Sequence, residues 1–464
     1  VTTSFSSLPL TAETLANIES LDYQLMTPIQ AQSLPAILEG KDLLAQAKTG
    51  SGKTAAFSIG LLHQLDTRTL QTQALILCPT RELADQVSKE IRRLARAMPN
   101  TRIVTLCGGK PLGPQLATME KNPHVVVGTP GRILKHLEKG ALKLDGLKTL
   151  VLDEADRMLD MGFHEDIMRI IDETPRHRQT LLFSATYPDE IREISDTIQK
   201  DPVHIRIETL HDNKKIKQIF YEIQKGERTK TLVTLLLHYR PESSLVFCNR
   251  KQQCQELADE LWNQGFHALA LHGDLEQRER DQVLVQFSNK SSSILIATDV
   301  AARGLDIKDL QAVINFELSP DPELHIHRIG RTGRAGNAGL ALSLFISSEQ
   351  FRVEAIAEYQ NSPVSIETAS ALIIPEHIAE EHHKLSPPMV TLCINGGRKD
   401  KVRAGDILGA LTANDKIPGK QIGKIDIADT IAYVAVERPA AKQALKILTE
   451  GKIKGRKFRI RKLR

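Results

Sequence analysis

Along residues 1–210, short and largely apolar runs alternate with longer stretches whose apolar positions recur every three or four residues. The short runs, at 42–46, 74–78, 102–106, 125–127, 149–152 and 179–183, have the length and composition of strands buried on both faces. The stretches between them, such as 82–97, have the period of amphipathic helices. Strand and helix in alternation predict parallel βαβ units with right-handed crossovers. Function is then expected in the loops at the carboxyl ends of the strands. The pattern pauses at His211-Asp212-Asn213-Lys214-Lys215 and resumes with runs at 244–248, 268–271, 293–297, 312–315 and 340–344. Residues 363–388, ending in Ser386-Pro387-Pro388, break it again and are expected to form a linker with one helix. From Met389 the order becomes β-α-β-β-α-β, with strands at 390–394, 424–427, 430–436 and 457–461 and helices at 404–413 and 439–449. The predicted organisation is two α/β parallel-sheet domains, 1–210 and 211–362, the linker 363–388, and an α+β domain, 389–464.

Composition narrows the class. With 464 residues, 41% hydrophobic and 25% charged, the chain has the make-up of a soluble globular protein of about three domains. No apolar run approaches a membrane span, and Val1-Thr2-Thr3-Ser4 lacks the shape of a signal peptide. Five cysteines, at 78, 107, 248, 254 and 393, form no CxxC pair, which suggests a reducing compartment and argues against structural zinc. A cytoplasmic location is expected. His377, His382 and His383 lie among glutamates without the spacing of a metal site, and read as a solvated helix face. The net charge of +4 is divided: residues 389–464 hold 18 Lys/Arg against 7 Asp/Glu, a net of +11, and residues 1–388 carry −7. A basic appendage on a mildly acidic body suggests a nucleic-acid partner.

The chemistry begins just after the first run, at Ala47-Lys48-Thr49-Gly50-Ser51-Gly52-Lys53-Thr54, which leads into the helical 55–62. This is the spacing of a Walker A phosphate loop, with Ala47 in place of the usual first glycine. In the setting strand, glycine-rich turn, helix, successive backbone N–H groups point at the phosphates and the helix N-terminus adds its positive end. Ala47, Thr49, Gly50, Ser51 and Gly52 are the expected cradle. Lys53 would reach the β- and γ-phosphates, and Thr54 would place its hydroxyl on Mg²⁺. The run 149–152 ends in Asp153-Glu154, the arrangement of a Walker B site. Asp153 would hold Mg²⁺ through its hydration shell, and Glu154 would orient and deprotonate the attacking water.

Asp153-Glu154-Ala155-Asp156 also spells the signature of the DEAD-box RNA helicases, and other segments resembling that family's motifs occur in order. Met26-Thr27-Pro28-Ile29-Gln30 resembles its Q motif, which implies that Gln30 reads the adenine edge and Tyr23 stacks on the ring. Pro79-Thr80-Arg81-Glu82-Leu83, Gly108-Gly109 and Thr129-Pro130-Gly131-Arg132 resemble its RNA-contacting loops. The resemblance implies RNA contacts from Thr80, Arg81, Gly108, Gly109, Thr129 and Arg132. Ser184-Ala185-Thr186 resembles the motif that couples hydrolysis to strand separation, assigning that role to Ser184 and Thr186. In the second domain, Val246-Phe247-Cys248-Asn249, Gln277-Arg278-Glu279-Arg280 and the segment from Ala297 to Asp306 resemble later motifs. They imply RNA contacts from Gln277, Arg280 and Thr298, and a ribose contact from Asp306. The segment from His327 to Arg334 resembles the last motif and implies that Arg331 and Arg334 act as arginine fingers. The resemblance covers residues 1 to about 360. It implies two RecA-like domains in tandem, ATP and Mg²⁺ as cofactors, and an RNA-stimulated ATPase whose closure opens short RNA duplexes locally.

The β-α-β-β-α-β order of 389–464 is that of RNA-recognition motifs, which stack bases on strand aromatics. Here only Tyr433 stands on the third strand, where this order implies an RNA contact for it, and the first has none. Charge is concentrated instead in Arg398, Lys399, Lys401 and Arg403 and from Lys452 to Arg464, which suggests recognition of a folded RNA by shape and phosphate contacts. Core and tail together resemble the bacterial DbpA subfamily. That resemblance implies a monomer acting on a structured segment of 23S ribosomal RNA in large-subunit precursors. Two alternatives stand beside it: an ATP-switched RNA clamp or chaperone without productive unwinding, and a DNA translocase on the same core.

Overall fold

The structure, a computed structural model, describes residues 3–47, 50–207, 216–302, 310–333, 338–372, 386–413 and 417–463. These fall into two compact units, the first ending with residue 207 and the second opening at residue 216. The expected cradle residue Thr49, the ribose contact Asp306, the finger Arg334, and His377, His382 and His383 lie outside the described residues.

In the first unit, β1 (Leu43–Gln46), β2 (Ala74–Leu77), β3 (Ile103–Leu106), β4 (Val125–Gly128), β5 (Thr149–Asp153), β6 (Gln179–Ser184) and β7 (Val203–Arg206) form a seven-stranded parallel sheet among the described residues. Its order is β3-β4-β2-β5-β6-β1-β7. The strands are apolar throughout because alternate side chains serve two different cores. Ala74, Ile76, Val125, Val127, Val151, Leu181 and Phe183 pack on one side. Leu75, Leu77, Val126, Leu150, Leu152 and Leu182 pack on the other. On the first side the helix Lys53–His63 lies against the helix Pro28–Leu38. Their approach is so close that a Cβ on Gly60 would stand 2.1 Å from Ile37 Cγ2.

In the second unit, β8 (Ile216–Glu222), β9 (Ser244–Phe247), β10 (Ala268–Leu271), β11 (Ile294–Ala297), β12 (Ala312–Asn315), β13 (Gly339–Phe345) and β14 (Ser365–Thr368) form a second parallel sheet, in the order β10-β11-β9-β12-β13-β8-β14. Strand β14 corrects the expected linker boundary, because 365–368 pairs with β8 and belongs to this sheet. It escaped the sequence pattern because all four of its residues are exposed at a sheet edge, where no buried run is needed. The edge strand β7, Val-His-Ile-Arg, has no continuous apolar run either, because His204 and Arg206 are exposed and only Ile205 is buried. The helix expected within 363–388 falls largely on 373–385, outside the described residues. A third, antiparallel sheet has the order β16-β17-β15-β18, with β15 at Met389–Ile394, β16 at Ile422–Ile427, β17 at Ala432–Glu437 and β18 at Ile460–Lys462. The helices Ala404–Thr412 and Ala441–Glu450 complete the expected β-α-β-β-α-β order and share a core with Val390, Leu392, Ile394, Val434 and Val436.

One guanidinium ties the strand ends of the second sheet together. Arg328, 1% exposed, donates from Nε and Nη2 to both carboxylate oxygens of Asp299 at 2.7 and 2.6 Å. It also donates to Asn249 Oδ1 at 2.8 Å, Glu317 O at 2.7 Å and Asn315 Oδ1 at 3.3 Å, and lies 5.0 Å over the Phe247 ring. The loops after β9, β11 and β12 are thereby bound to one buried charge.

Two stability changes are expected. Gly60→Ala gains helix propensity, yet should lower the free energy of unfolding by about 1–3 kcal/mol through overpacking against the stiff Ile37. Arg328→Met leaves Asp299 without its partner and should cost about 3 kcal/mol. Urea unfolding midpoints check both; a stabilised Gly60→Ala would contradict the close helix packing.

Candidate active site and nucleic-acid interface

Strand β6 lies between β5 and β1, so the phosphate loop, the Asp153-Glu154 turn and the Ser184-Ala185-Thr186 turn leave neighbouring strand ends. Ala47 N donates to Ser184 O at 2.9 Å, joining the first loop to the third. Gly52, at φ +100°, caps the helix Lys53–His63 in a backbone conformation that favours glycine. A Cβ there would stand 2.7 Å from Gln30 Nε2 and 2.8 Å from Thr27 Oγ1. Gln30 uses that space. Its Nε2 donates to Gly52 O at 3.1 Å and its Oε1 accepts from Thr27 N at 2.9 Å.

The expected adenine reader is therefore engaged at both ends of its amide by the protein, and here it braces the Q segment against the phosphate loop. Tyr23 is tied to its neighbours as well. Its hydroxyl donates to Glu90 at 2.5 Å and its ring meets Phe5 edge-on at 6.2 Å, so this side chain is bound into the frame. Lys53, buried, donates from Nζ to Ala47 O at 2.7 Å, which holds its ammonium at the loop. Gly50, Ser51 and Thr54 lie in the same turn and first helical residues, with the Ser51 hydroxyl buried and unpartnered among the described residues.

Asp153 is 2% exposed, and its Oδ1 has no hydrogen-bond partner among the described residues. Burial, more than any neighbour, pushes its carboxyl up to about 7; Lys53 opposes the shift and Glu154 adds to it. A buried carboxylate oxygen without a partner, beside a phosphate loop carrying Thr54, is a donor set that fits Mg²⁺. Glu154 follows at φ +55°, a left-handed conformation that is costly for a residue with a side chain. Its Oε2 accepts from Arg157 Nη1 at 2.9 Å, with both groups buried. Asp156 Oδ2 accepts from Ala185 N at 3.2 Å, Thr186 N at 3.0 Å and Thr186 Oγ1 at 3.1 Å. Asp156 and Arg157 were not singled out from the sequence. The adjacency of Asp156 to Asp153-Glu154 was the available signal, but its partners lie about 30 residues away.

The other half of the first sheet gathers the expected RNA loops. Strands β3, β4 and β2 are adjacent, and Gly108-Gly109, Thr129 and Thr80 follow them in that order. Thr80 caps the helix Arg81–Leu94 through Oγ1, and Thr129 O receives Arg132 N at 3.0 Å. Arg81 lies so close to Gly109 that a Cβ there would be 2.0 Å from Nη1. In the second unit, Gln277 and Arg280 open the helix after β10, and Thr298 follows β11 beside it. Arg280 Nη1 donates to His272 O at 3.2 Å, and Gln277 Nε2 to Asp281 Oδ1 at 2.9 Å. Arg331 is buried two residues past the end of the helix Pro322–Ile329.

The small domain alters the expected RNA surface. Tyr433 is 5% exposed and packs with Cys393 and Leu463 against Val285, on the helix Gln277–Ser288. Thr391 Oγ1 meets Ser291 Oγ at 2.6 Å and accepts from Asn289 Nδ2 at 3.2 Å; Lys424 Nζ donates to Ser288 Oγ at 3.0 Å. This sheet face is covered, and burial pushes the Tyr433 phenol up to about 12. A ring so enclosed does not stack on a base, which corrects the expectation for Tyr433. Arg398, Lys399, Lys401 and Arg403 are exposed instead, on a turn whose Arg398 N and Lys399 N donate to Ala428 O and Asp429 O. Lys454 Nζ donates to Lys401 O at 3.1 Å and Asn395 N to Arg459 O at 3.0 Å, so both basic segments meet at one end of this domain.

Known proteins share this organisation. Residues 27–194 match the DEAD/DEAH box helicase family, 227–336 the helicase conserved C-terminal domain, and 391–462 the DbpA RNA binding domain. The chain is 53% identical over 463 residues to the ATP-dependent RNA helicase DbpA of Escherichia coli (strain K12), covering 100% of both chains. It is 35% identical over 474 residues to that of Bacillus subtilis (strain 168), covering 99% of both. Among solved structures, S. cerevisiae Dbp5 bound to RNA and ADP BeF3 superimposes with a TM-score of 0.72 at 30% identity, covering 82% of this chain and 99% of that one. With both sheets, the small basic domain and full-length relatives in agreement, the chain belongs to the DEAD-box ATP-dependent RNA helicases of the DbpA type.

Proposed function

We propose that this helicase is an RNA-stimulated ATPase that opens short duplexes in precursors of the large ribosomal subunit. Residues 389–464 direct it to a structured segment of 23S ribosomal RNA, and it works as a cytoplasmic monomer. The observation that carries the reading is the meeting of two exposed basic segments on a domain whose sheet face is already covered. Loops of this kind contact phosphates in a fixed arrangement, which suits a folded RNA better than an extended strand.

Lys53 reaches the β- and γ-phosphates, and Glu154 acts on the attacking water, with its carboxylate oriented by Arg157. Thr54 and Asp153 would hold Mg²⁺, which would supply charge neutralisation at the phosphate oxygens. Arg331 and Arg334 supply further positive charge to the transition state, and Asp306 binds the ribose. Thr80, Arg81, Gly108, Gly109, Thr129, Arg132, Gln277, Arg280 and Thr298 hold one RNA strand by its backbone. Ser184 and Thr186 transmit the hydrolytic state, with Asp156 linking Thr186 to the catalytic turn.

Glu154→Gln should retain ATP and RNA binding while turnover falls roughly 10²- to 10⁴-fold, measured by steady-state phosphate release; normal turnover removes Glu154 from this role. Crosslinking of bound RNA in cells, followed by sequencing, tests the target. Reads should concentrate on one 23S segment, and should disperse when Arg398, Lys399, Lys401 and Arg403 are all changed to Ala. Tyr433→Phe should leave the pattern unchanged. Reads spread over messenger RNA in the parent protein would contradict the proposal. A duplex-separation assay completes it, since a clamp would hydrolyse ATP and leave strands paired.

A further inference from the structure

Gln115 lies on the short helix Leu112–Met119, within no recognised motif, and its amide is buried. Its Nε2 donates to Cys107 O at 3.0 Å. Its Oε1 accepts from Arg132 Nη1 at 3.1 Å and faces His136 Nε2 at 3.2 Å. These partners fix the amide orientation, since only the NH₂ group can serve a carbonyl and only the oxygen can serve a guanidinium. His136 must then carry its proton on Nε2. Its Nδ1 is buried without a hydrogen-bond partner among the described residues, as suits a bare lone pair. Burial and then the Arg132 charge both hold this imidazole below its ordinary pKa, and so neutral.

Arg132 is bound a second time. Nη1 and Nη2 each donate to Lys110 O at 3.1 Å. The Cys107–Lys110 loop is therefore held at its first carbonyl by Gln115 and at its last by Arg132, and Gln115 joins the two anchors. Between them Gly109, at φ +76°, lies against the Arg81 guanidinium. The Nε–H of Arg132 and the second Nη2–H make no hydrogen bond with a described residue, and that fork can take a phosphate bidentately. Rotamer freedom that an unrestrained arginine would lose on binding is already lost in the fold.

We infer that Gln115 is a positioning residue for RNA: through one buried amide it sets the register of Arg132 relative to the Gly108-Gly109 loop, so that both present to successive phosphates of one strand. The inference rests on the proposed role of Arg132 and that loop in binding RNA. It gives a buried, uncharged side chain an effect on affinity and on salt dependence that burial alone would not produce.

The test measures the dissociation constant of a fluorescent oligouridylate from the full-length protein, with an ATP analogue, across a range of salt concentrations. Arg132→Ala should weaken binding about tenfold and reduce the slope of log affinity against log salt by about 0.7, the share of one single-strand phosphate contact. Gln115→Met, which keeps volume but loses every hydrogen bond, should reproduce much of both effects and add nothing in the Arg132→Ala background. Gln115→Glu keeps an acceptor for Arg132, should restore the slope, and keeps the test readable if Gln115→Met folds poorly. An unchanged slope in Arg132→Ala overturns the RNA role on which the inference rests. A reduced slope in Arg132→Ala with a parental slope in Gln115→Met, or additive losses in the double variant, overturns the inference itself.

Discussion

Strand order is the constraint on which this molecule depends. In a parallel sheet every strand delivers its following loop to the same edge, so adjacency of strands becomes adjacency of loops. With β6 between β5 and β1, the Asp153-Glu154 turn, the Ser184-Ala185-Thr186 turn and the phosphate loop leave neighbouring strand ends. Strands β3, β4 and β2 likewise collect the loops that face RNA in the proposed function. The two sets meet where β2 pairs with β5. In the proposed function, one sheet thus carries nucleotide chemistry at one end of its row of loops and strand binding at the other. Asp156, bonded to Ala185 and Thr186, ties the catalytic turn to its neighbour.

The second unit uses the same geometry with a different anchor. Where the first sheet joins its loops through backbone contacts and Gln30, the second joins them through the buried guanidinium of Arg328. The small domain packs its open sheet face on the helix that begins with Gln277 and Arg280. A base-stacking face is given up for a fixed attachment to the core, and the basic loops are left as the exposed surface. In the proposed function, attachment and recognition are thereby separated on one small fold.

Much of this was legible in the sequence because phosphate chemistry fixes local spacing. A loop such as 47–54 has to occur as a contiguous segment after a strand, so its glycines and Lys53 declare themselves. Strands serving two cores were visible for the same reason, since Ile76 and Leu77 face opposite ways and both must be apolar. The edge strands β7 and β14 were not, because exposure of one face in β7 and of every residue in β14 breaks the continuous apolar run. Partners distant in sequence were hidden as well. Gln30 reaches Gly52, Gln115 reaches Arg132, and Tyr433 meets Val285, and no local periodicity encodes any of these meetings. Residue type had pointed Tyr433 toward a base, and tertiary packing decided otherwise.

In the proposed function, ATP turnover on the β5-β6-β1 loops is driven by RNA engaged elsewhere on the protein. Steady-state phosphate release with RNA and DNA of matched sequence and structure measures this directly. Strong stimulation by the RNA, with the DNA leaving turnover near its nucleic-acid-free rate, is the expected result. Equal stimulation by both, or by neither, would contradict that coupling.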